Sequence, residues 1–381
     1  MANNLRDDSL DLYTLHTATV NVSYPLDLFG GLKSQYRSAR AQAEVAAHRR
    51  DAAHNMVVAN LVTAVISQAQ YAAQLDAARE SVENNRHLLD MLLKRQQLGD
   101  IGAADVSAQQ TALATAEGAI PTLARALDHQ RSLVAMLIGV APGSSLPPLP
   151  RLDELQLPSD LPVGLPAQIV ANRPDVRAAE ANMRGAGADV GVAIAARLPL
   201  LQLTAVAGGV AQNFGDMFAN GNPFFSIIGA LTQPLFHGRQ LLHKQHAAEA
   251  ALEAAKAQYR GAVLQAFGDV QDALTGVKTD GQALDAATRA SDAAERNLGF
   301  TQRQLQLGGV GTLTLLNASN SAAQAASQLV QARAARLIDT VALYQAVGGG
   351  VQGGALASRT DDQVRSGQVR SGAAHDKEPG S

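Results

Sequence analysis

Three groups of residues have types and spacings that could support chemistry. His243, His246 and Glu249 fall three apart on one helical face, a spacing that suits metal ligands. The sequence offers no further ligand beside them, so a solvated helix face accounts for the triplet better. Gly185-Ala-Gly-Ala-Asp-Val-Gly191 has the glycine density of a phosphate loop. It follows a helix start rather than a strand, and its spacing is wrong for that role. Small residues for close packing explain it more simply. No nucleophile–base arrangement and no Gly-x-Ser-x-Gly elbow is visible, so the chain reads as a non-enzyme that needs no cofactor.

The third group surrounds a repeated turn. Lys94-Arg95-Gln96-Gln97-Leu98-Gly99-Asp100-Ile101-Gly102 is echoed 209 residues later by Arg303-Gln304-Leu305-Gln306-Leu307-Gly308-Gly309-Val310-Gly311. A basic residue stands four positions before each Leu-Gly pair, and a second glycine follows three further on. Each copy interrupts an Ala-rich helical pattern and reads as a tight turn between two helices of a hairpin. The glycines supply the positive φ that such a turn needs.

The elements that must position these turns are long. From about Leu32 to Leu98 there is no proline or glycine, and Leu61, Gln68, Leu75, Val82 and Leu89 recur every seven residues. Ala78, Asn85 and Leu92 do the same. A seven-residue repeat predicts a left-handed supercoil of helices, and a continuous helix here would reach roughly 100 Å. A second helix is expected over about 104–138, with Pro121 as a kink. Residues 140–173 form a proline-rich connector. Pro174 and Asp175 suit the first turn of a helix running to about 198. A long helix over about 239–307, with Val270, Val277, Leu284, Ser291, Leu298 and Leu305 at heptad spacing, and a shorter one over about 312–347 repeat the first pattern. The chain thus divides into a first repeat over 1–139, the connector, and a second repeat over 174–350. The polar tail over 351–381 reads as disordered.

Strand signals are few. Ala18, Val20, Val22, Tyr24 and Leu26 alternate with Thr17, Thr19, Asn21, Ser23 and Pro25 within a strand expected over about 12–26. Two more are expected over about 200–213 and 223–235. So few strands cannot close a sheet, and open edges invite aggregation. Several copies pooling strands into a barrel, with lumen on one side and lipid on the other, would remove the problem; a small soluble sheet fits the alternation as well.

Composition narrows the field. The formal net charge of -3 gives no electrostatic case for nucleic acid. Aromatics make up 4% of the 381 residues and Trp is absent, a bias toward close helix–helix packing. Absence of cysteine excludes disulfides and thiolate metal sites. No run of eighteen apolar residues is present, so no transmembrane helix is expected. Met1-Ala-Asn-Asn-Leu-Arg-Asp-Asp has no signal-peptide pattern.

Tyr24-Pro-Leu-Asp-Leu-Phe-Gly-Gly, Ala171-Asn-Arg-Pro-Asp-Val-Arg-Ala-Ala-Glu, Gln233-Pro-Leu-Phe-His-Gly-Arg and Val341-Ala-Leu-Tyr-Gln-Ala-Val-Gly-Gly-Gly resemble motifs of the outer-membrane factors of tripartite efflux pumps. The resemblance covers roughly residues 12–350 in family order. It is closest to the lipoprotein branch serving RND-type exporters, with TolC as a wider relative. It implies a mainly α chain with a small β part, in which long coiled-coil hairpins build a periplasmic α-barrel. Four strands per protomer of a homotrimer would build an outer-membrane β-barrel. It also implies a passive exit duct whose partners are a periplasmic adaptor, an inner-membrane RND transporter and outer-membrane lipid. The family's signal peptide, lipid-modified Cys, first hairpin and first strand have no counterpart here, so an N-terminally truncated copy is expected. A soluble coiled-coil scaffold, or a non-functional truncated channel, is the alternative.

The resemblance also assigns residues. Hairpin tips of this kind meet the adaptor, which implicates Lys94, Leu98, Gly99, Gly102, Arg303, Leu307, Gly308 and Gly311. Acids just beyond each turn line and latch the closed tip in the family. Asp105 matches in the first copy, whereas Thr314 and Asn317 stand in the second. The Tyr and Arg that tie to the first-copy acid in TolC correspond to Leu305 and Val310. Two readings of Asp105 stay open: a gate residue, or an acid favoured in the first turn of its helix. Gating here would rest on packing and on the amide of Asn317 more than on ion pairs.

Overall fold

Heptad spacing without helix breakers folds the long segments as single helices. A computed structural model describes residues 14–157, 170–219 and 223–348. In it α1 runs Gly31–Gln97 and α2 Ala103–Leu137. A third helix, α3, spans Pro174–Ala195, followed by α4 (Gln240–Gln306) and α5 (Thr312–Ala346). α1 and α4 have 67 residues each, and α2 and α5 have 35 each. The duplication in the sequence is thus repeated residue for residue in the helices. Pro121 lies inside α2 without ending it. The tail over 351–381 and Pro158, Pro162 and Pro166 of the connector lie outside the described residues.

Strands β1 (His16–Leu26), β2 (Leu200–Ala211) and β3 (Pro223–Thr232) form one antiparallel sheet in the order β1-β2-β3. β2 stops two residues short of the expected end, before a single 3-10 turn over Phe214–Asp216. β3 stops at Thr232, ahead of Pro234, which has no N–H to give a ladder. Register places Val20 beside Ala207 and Ala207 beside Phe225, Val22 beside Ala205 and Ile227, and Tyr24 beside Leu203 and Gly229. Directly opposed residues share a face, so one face carries only apolar or glycine side chains along these rows. Thr19, Asn21, Ser23, Thr204 and Ser226 lie on the other face, where the Ser23 and Thr204 hydroxyls hydrogen-bond at 3.5 Å. Val20, Val22, Tyr24, Leu203, Phe225, Ile227 and Leu231 on the apolar face are all exposed.

The chain separates into two compact units, Met1–Ala47 with Ala178–Arg260, and His48–Arg177 with Gly261–Ser381. Each takes residues from both repeats. The first holds the sheet, α3 beyond residue 177, and the N-terminal parts of α1 and α4. The glycines of the 185–191 stretch do packing work there: a Cβ on Gly185 would lie 3.4 Å from Ala41, and one on Gly191 would crowd Ser34 at 2.7 Å. Arg184 pairs with Glu44 at 3.0 Å across the same contact.

The second unit has three buried clusters. Ile66, Ala69, Ala334 and Leu337 close around Leu152 of the connector. Val270, Ala273, Val277, Leu343 and Ala346 join α4 to the end of α5. The third cluster lies at the turns. Arg173 adds a buried polar hub: its guanidinium donates to both oxygens of Asp175, to Asp269 at 2.8 Å and to the Ala346 carbonyl at 3.1 Å. Burial opposes its charge, but the two acids outweigh that and raise its pKa. Burial also works against the Asp175 carboxylate, and Arg173 reverses the effect and holds it below the ordinary range.

One expectation about hydropathy needs correction. α1 contains an eighteen-residue window of mean hydropathy 1.3, which by length and composition alone could cross a membrane. Counting unbroken apolar runs misses it, because isolated polar residues break a run while barely lowering a mean. Only 22% of that window is buried within the chain.

Candidate functional site: two glycine turns

Both turns end their helices in the same way, and the hydrogen bonds say why glycine is needed. After α1, Gly99 N–H donates to the Gln96 carbonyl at 2.9 Å and Asp100 N–H to Arg95 at 3.0 Å. After α4, Gly308 N–H donates to Leu305 at 3.1 Å and Gly309 N–H to Gln304 at 2.8 Å. This paired pattern is a Schellman cap, which satisfies the last carbonyls by placing one residue in the left-handed region. Gly99 and Gly308 are that residue, at φ +81 and +73. The next helices start alike, from Gly102 (φ -86, ψ 163) and Gly311 (φ -83, ψ 165). Asp105 N–H reaches the Gly102 carbonyl and Thr314 N–H that of Gly311.

The two turns converge. Leu88, Leu92 and Val106 of the first hairpin pack with Leu305 and Leu315 of the second in one buried cluster, flanked by Ile101 and Val310 of the turns themselves. The apolar contacts of Leu305 and Val310 are thus part of what holds the two tips together.

Outside this cluster the tips are open. Leu98 is 77% exposed and Leu307 86%, large apolar side chains held in solvent at equivalent positions. Lys94, Gly99, Gly102, Arg303, Gly308 and Gly311 are exposed as well. Arg95 lies 3.9 Å from Asp100 on the first tip. On the second, the Arg303 guanidinium stands over the Phe300 ring at 5.7 Å. Phe300 is a site residue that the turn motif did not reveal, although its i, i+3 spacing to Arg303 could have pointed to it. Asp105 is half-buried in the first turn of α2, whereas Thr314 and Asn317 are exposed on α5.

Behind the first tip lies a polar layer. Gln109 is 1% exposed; its amide donates to the Asn85 carbonyl at 3.1 Å and side-chain oxygen at 2.8 Å. Asn85 in turn donates to the Ser81 carbonyl at 2.8 Å. The equivalent positions in the second hairpin are Ala294 and Ala318. Elsewhere, His243 and His246 meet edge to face at 6.3 Å, and Glu249 accepts from Gln245. Among the described residues, no group of three or more His, Asp or Glu is placed to hold a metal.

The family model described as outer membrane efflux protein matches residues 2–140 and 165–349. The pyoverdine export outer membrane protein OpmQ of Pseudomonas putida is 30% identical over 343 residues, covering 89% of this chain and 72% of the relative. The toluene efflux pump outer membrane protein TtgF of Pseudomonas putida is 28% identical over 335 residues, covering 88% and 69%. The open state of the Neisseria gonorrhoeae MtrE outer membrane channel superposes with a TM-score of 0.79 at 25% identity, over 90% of this chain and 81% of that one. The outer-membrane channel OprN shares the fold at a TM-score of 0.82 and 23% identity, over 89% and 81%.

Proposed function

Because the chain belongs to the outer membrane efflux protein family, it is an outer-membrane component of an efflux system, and we propose that it acts there as a passive exit duct opened at its periplasmic tip. The observation that carries this reading is the sheet register. Three strands give one exposed face only apolar or glycine side chains along the Val20, Val22 and Tyr24 rows and collect their hydroxyl and amide residues on the other, together with Val206, Phe224 and Ile228; an all-apolar face is what lipid contact demands. A soluble scaffold has no use for such a face.

In this reading three copies pool their strands and helices, and the two glycine turns of each copy face the periplasm. Leu98 and Leu307 supply the apolar anchors for a periplasmic adaptor, with Lys94 and Arg303 beside them and Gly99, Gly102, Gly308 and Gly311 fixing the shape of the tip. An inner-membrane RND transporter delivers the cargo. Asp105, Thr314 and Asn317, just beyond the turns, line the gate. Relatives named for pyoverdine and toluene export suggest small organic molecules as cargo. A duct needs no bond-making chemistry and no cofactor, so no reaction is assigned.

The tip assignment is tested by deleting Gly308 to Gly311 in the full-length protein and measuring export together with trimer assembly. Export is expected to be lost while trimers persist. Normal export by the deletion variant would remove the tips from the docking role.

A further inference from the structure

All three helical segments of the first unit join the sheet at one end. α1 follows β1 after Leu26, α3 leads into β2 at Leu200, and α4 follows β3 beyond Thr232. The register sets Leu26, Leu201 and Leu231 side by side at that end. The stretches that make these joins, 28–40, 190–199 and 233–248, contain Lys33, Arg37, Arg40, Arg197, Arg239 and Lys244 and no Asp or Glu, in a chain whose formal net charge is -3. All six cations are exposed. Beyond the opposite end of β2 the balance is reversed, since residues 208–219 contain Asp216 and no Lys or Arg.

Two features set these cations apart from an ordinary solvated face. Lys33, Arg37 and Arg40 form one stripe of α1, clear of Ser38, Ala41 and Val45, which are buried. Leu32 and Tyr36, both exposed, line the other side of the stripe. Cations beside exposed apolar and aromatic side chains suit an interface where stems lie on hydrocarbon and charges reach water. The other feature is Arg239, which takes φ 64 where the equivalent Gly30 takes φ 72. A position whose backbone favours glycine thus carries a charge, directly after Leu235 and Phe236, which are 92% and 88% exposed.

Resting on the duct reading, in which the sheet spans lipid, we propose that these cations form a collar that binds the head groups of anionic phospholipids in the leaflet on the helix side of the membrane. β1 has 11 residues, and at the tilt of barrel strands it rises about 25–30 Å, the height of the hydrocarbon core. Its helix-side end therefore stands at the head groups. Each Lys or Arg held there is attracted to an anionic lipid surface, and a guanidinium can hold a phosphate through two parallel bonds.

The test reconstitutes the full chain in bilayers of equal parts phosphatidylglycerol and phosphatidylcholine and measures, by native mass spectrometry after extraction into detergent, which lipid stays bound. The wild type is expected to retain phosphatidylglycerol over phosphatidylcholine by about tenfold, a preference that falls at high salt. Arg239→Gly relieves the backbone and so keeps the fold, and it should cut the preference about fivefold. Arg37→Gln should do the same, whereas Lys256→Gln, further along α4, should leave it unchanged. Equal retention of the two lipids by the wild type overturns the proposal and leaves the collar to an acidic protein partner. A loss in Lys256→Gln as large as in Arg239→Gly overturns it too, because the effect would then follow net charge. A chain that alkaline carbonate strips from the bilayer overturns the duct reading together with the collar; an inserted chain without a lipid preference overturns the collar alone.

Discussion

The two hairpins share the backbone geometry of their turns and few features of their interiors. Helix lengths, cap hydrogen bonds and the dihedral angles at the glycines agree between copies. Behind the turns, Asn85 and Gln109 fill one hairpin where Ala294 and Ala318 fill the other. At the helix starts, Asp27 accepts from Leu32 and Lys33 N–H groups ahead of α1, whereas the equivalent residue ahead of α4 is Phe236. Gly30 takes positive φ before α1, and Arg239 takes it before α4 at φ 64. Backbone geometry at a turn admits few residue types, so both copies keep it. Packing layers and caps have several adequate solutions, so the copies diverge there.

The sharpest way to break the comparison is the polar layer. Gln109→Ala leaves the Asn85 side-chain oxygen buried without its donor, and a loss of about 2–3 kcal/mol is expected in equilibrium unfolding. Combining it with Asn85→Ala copies the second hairpin and should recover at least about 1 kcal/mol. A double variant no more stable than Gln109→Ala would show that the layer is not coupled.

The turns should respond equally. Gly99→Ala and Gly308→Ala each place a side chain in the left-handed region, with open space around the new Cβ, so about 1 kcal/mol is expected from either. Costs differing by more than twofold, measured by thermal unfolding, would mean that the turns are not equivalent.

Arg239→Gly carries the smallest effect, a gain of about 0.5–1 kcal/mol from removing a non-glycine residue at positive φ. Loss of stability in the same assay would assign the Arg239 side chain a contact worth more than its backbone strain.

Much of this was legible in the sequence because the signals are local. Leu98-Gly99 and Leu307-Gly308 mark helix ends through backbone sterics alone, and the heptads of α1 and α4 announce long helices. The face of β1 could be read from alternation between Ala18 and Leu26. That β3 places Phe225 and Ile227 on the same face could not, because register is fixed by pairing with β2 and a one-residue slip would reverse it. Asn85 stands in the heptad series, but its partner lies across the turn, and only the packed hairpin brings Gln109 to it. The convergence of Ile101 and Val310 on one cluster, and the division into units that each draw on both repeats, depend on the same long-range packing.

The matched helix lengths have one more consequence. A helix advances about 1.5 Å per residue, so α1 and α4, at 67 residues each, act as a length standard written twice. Losing one heptad from a single hairpin would draw its tip back by about 10 Å, parting Ile101 from Val310 while every cap stayed intact. Substitutions can be tolerated in one copy at a time, as Gly30 and Arg239 illustrate. Changes of length would have to be made in both copies together.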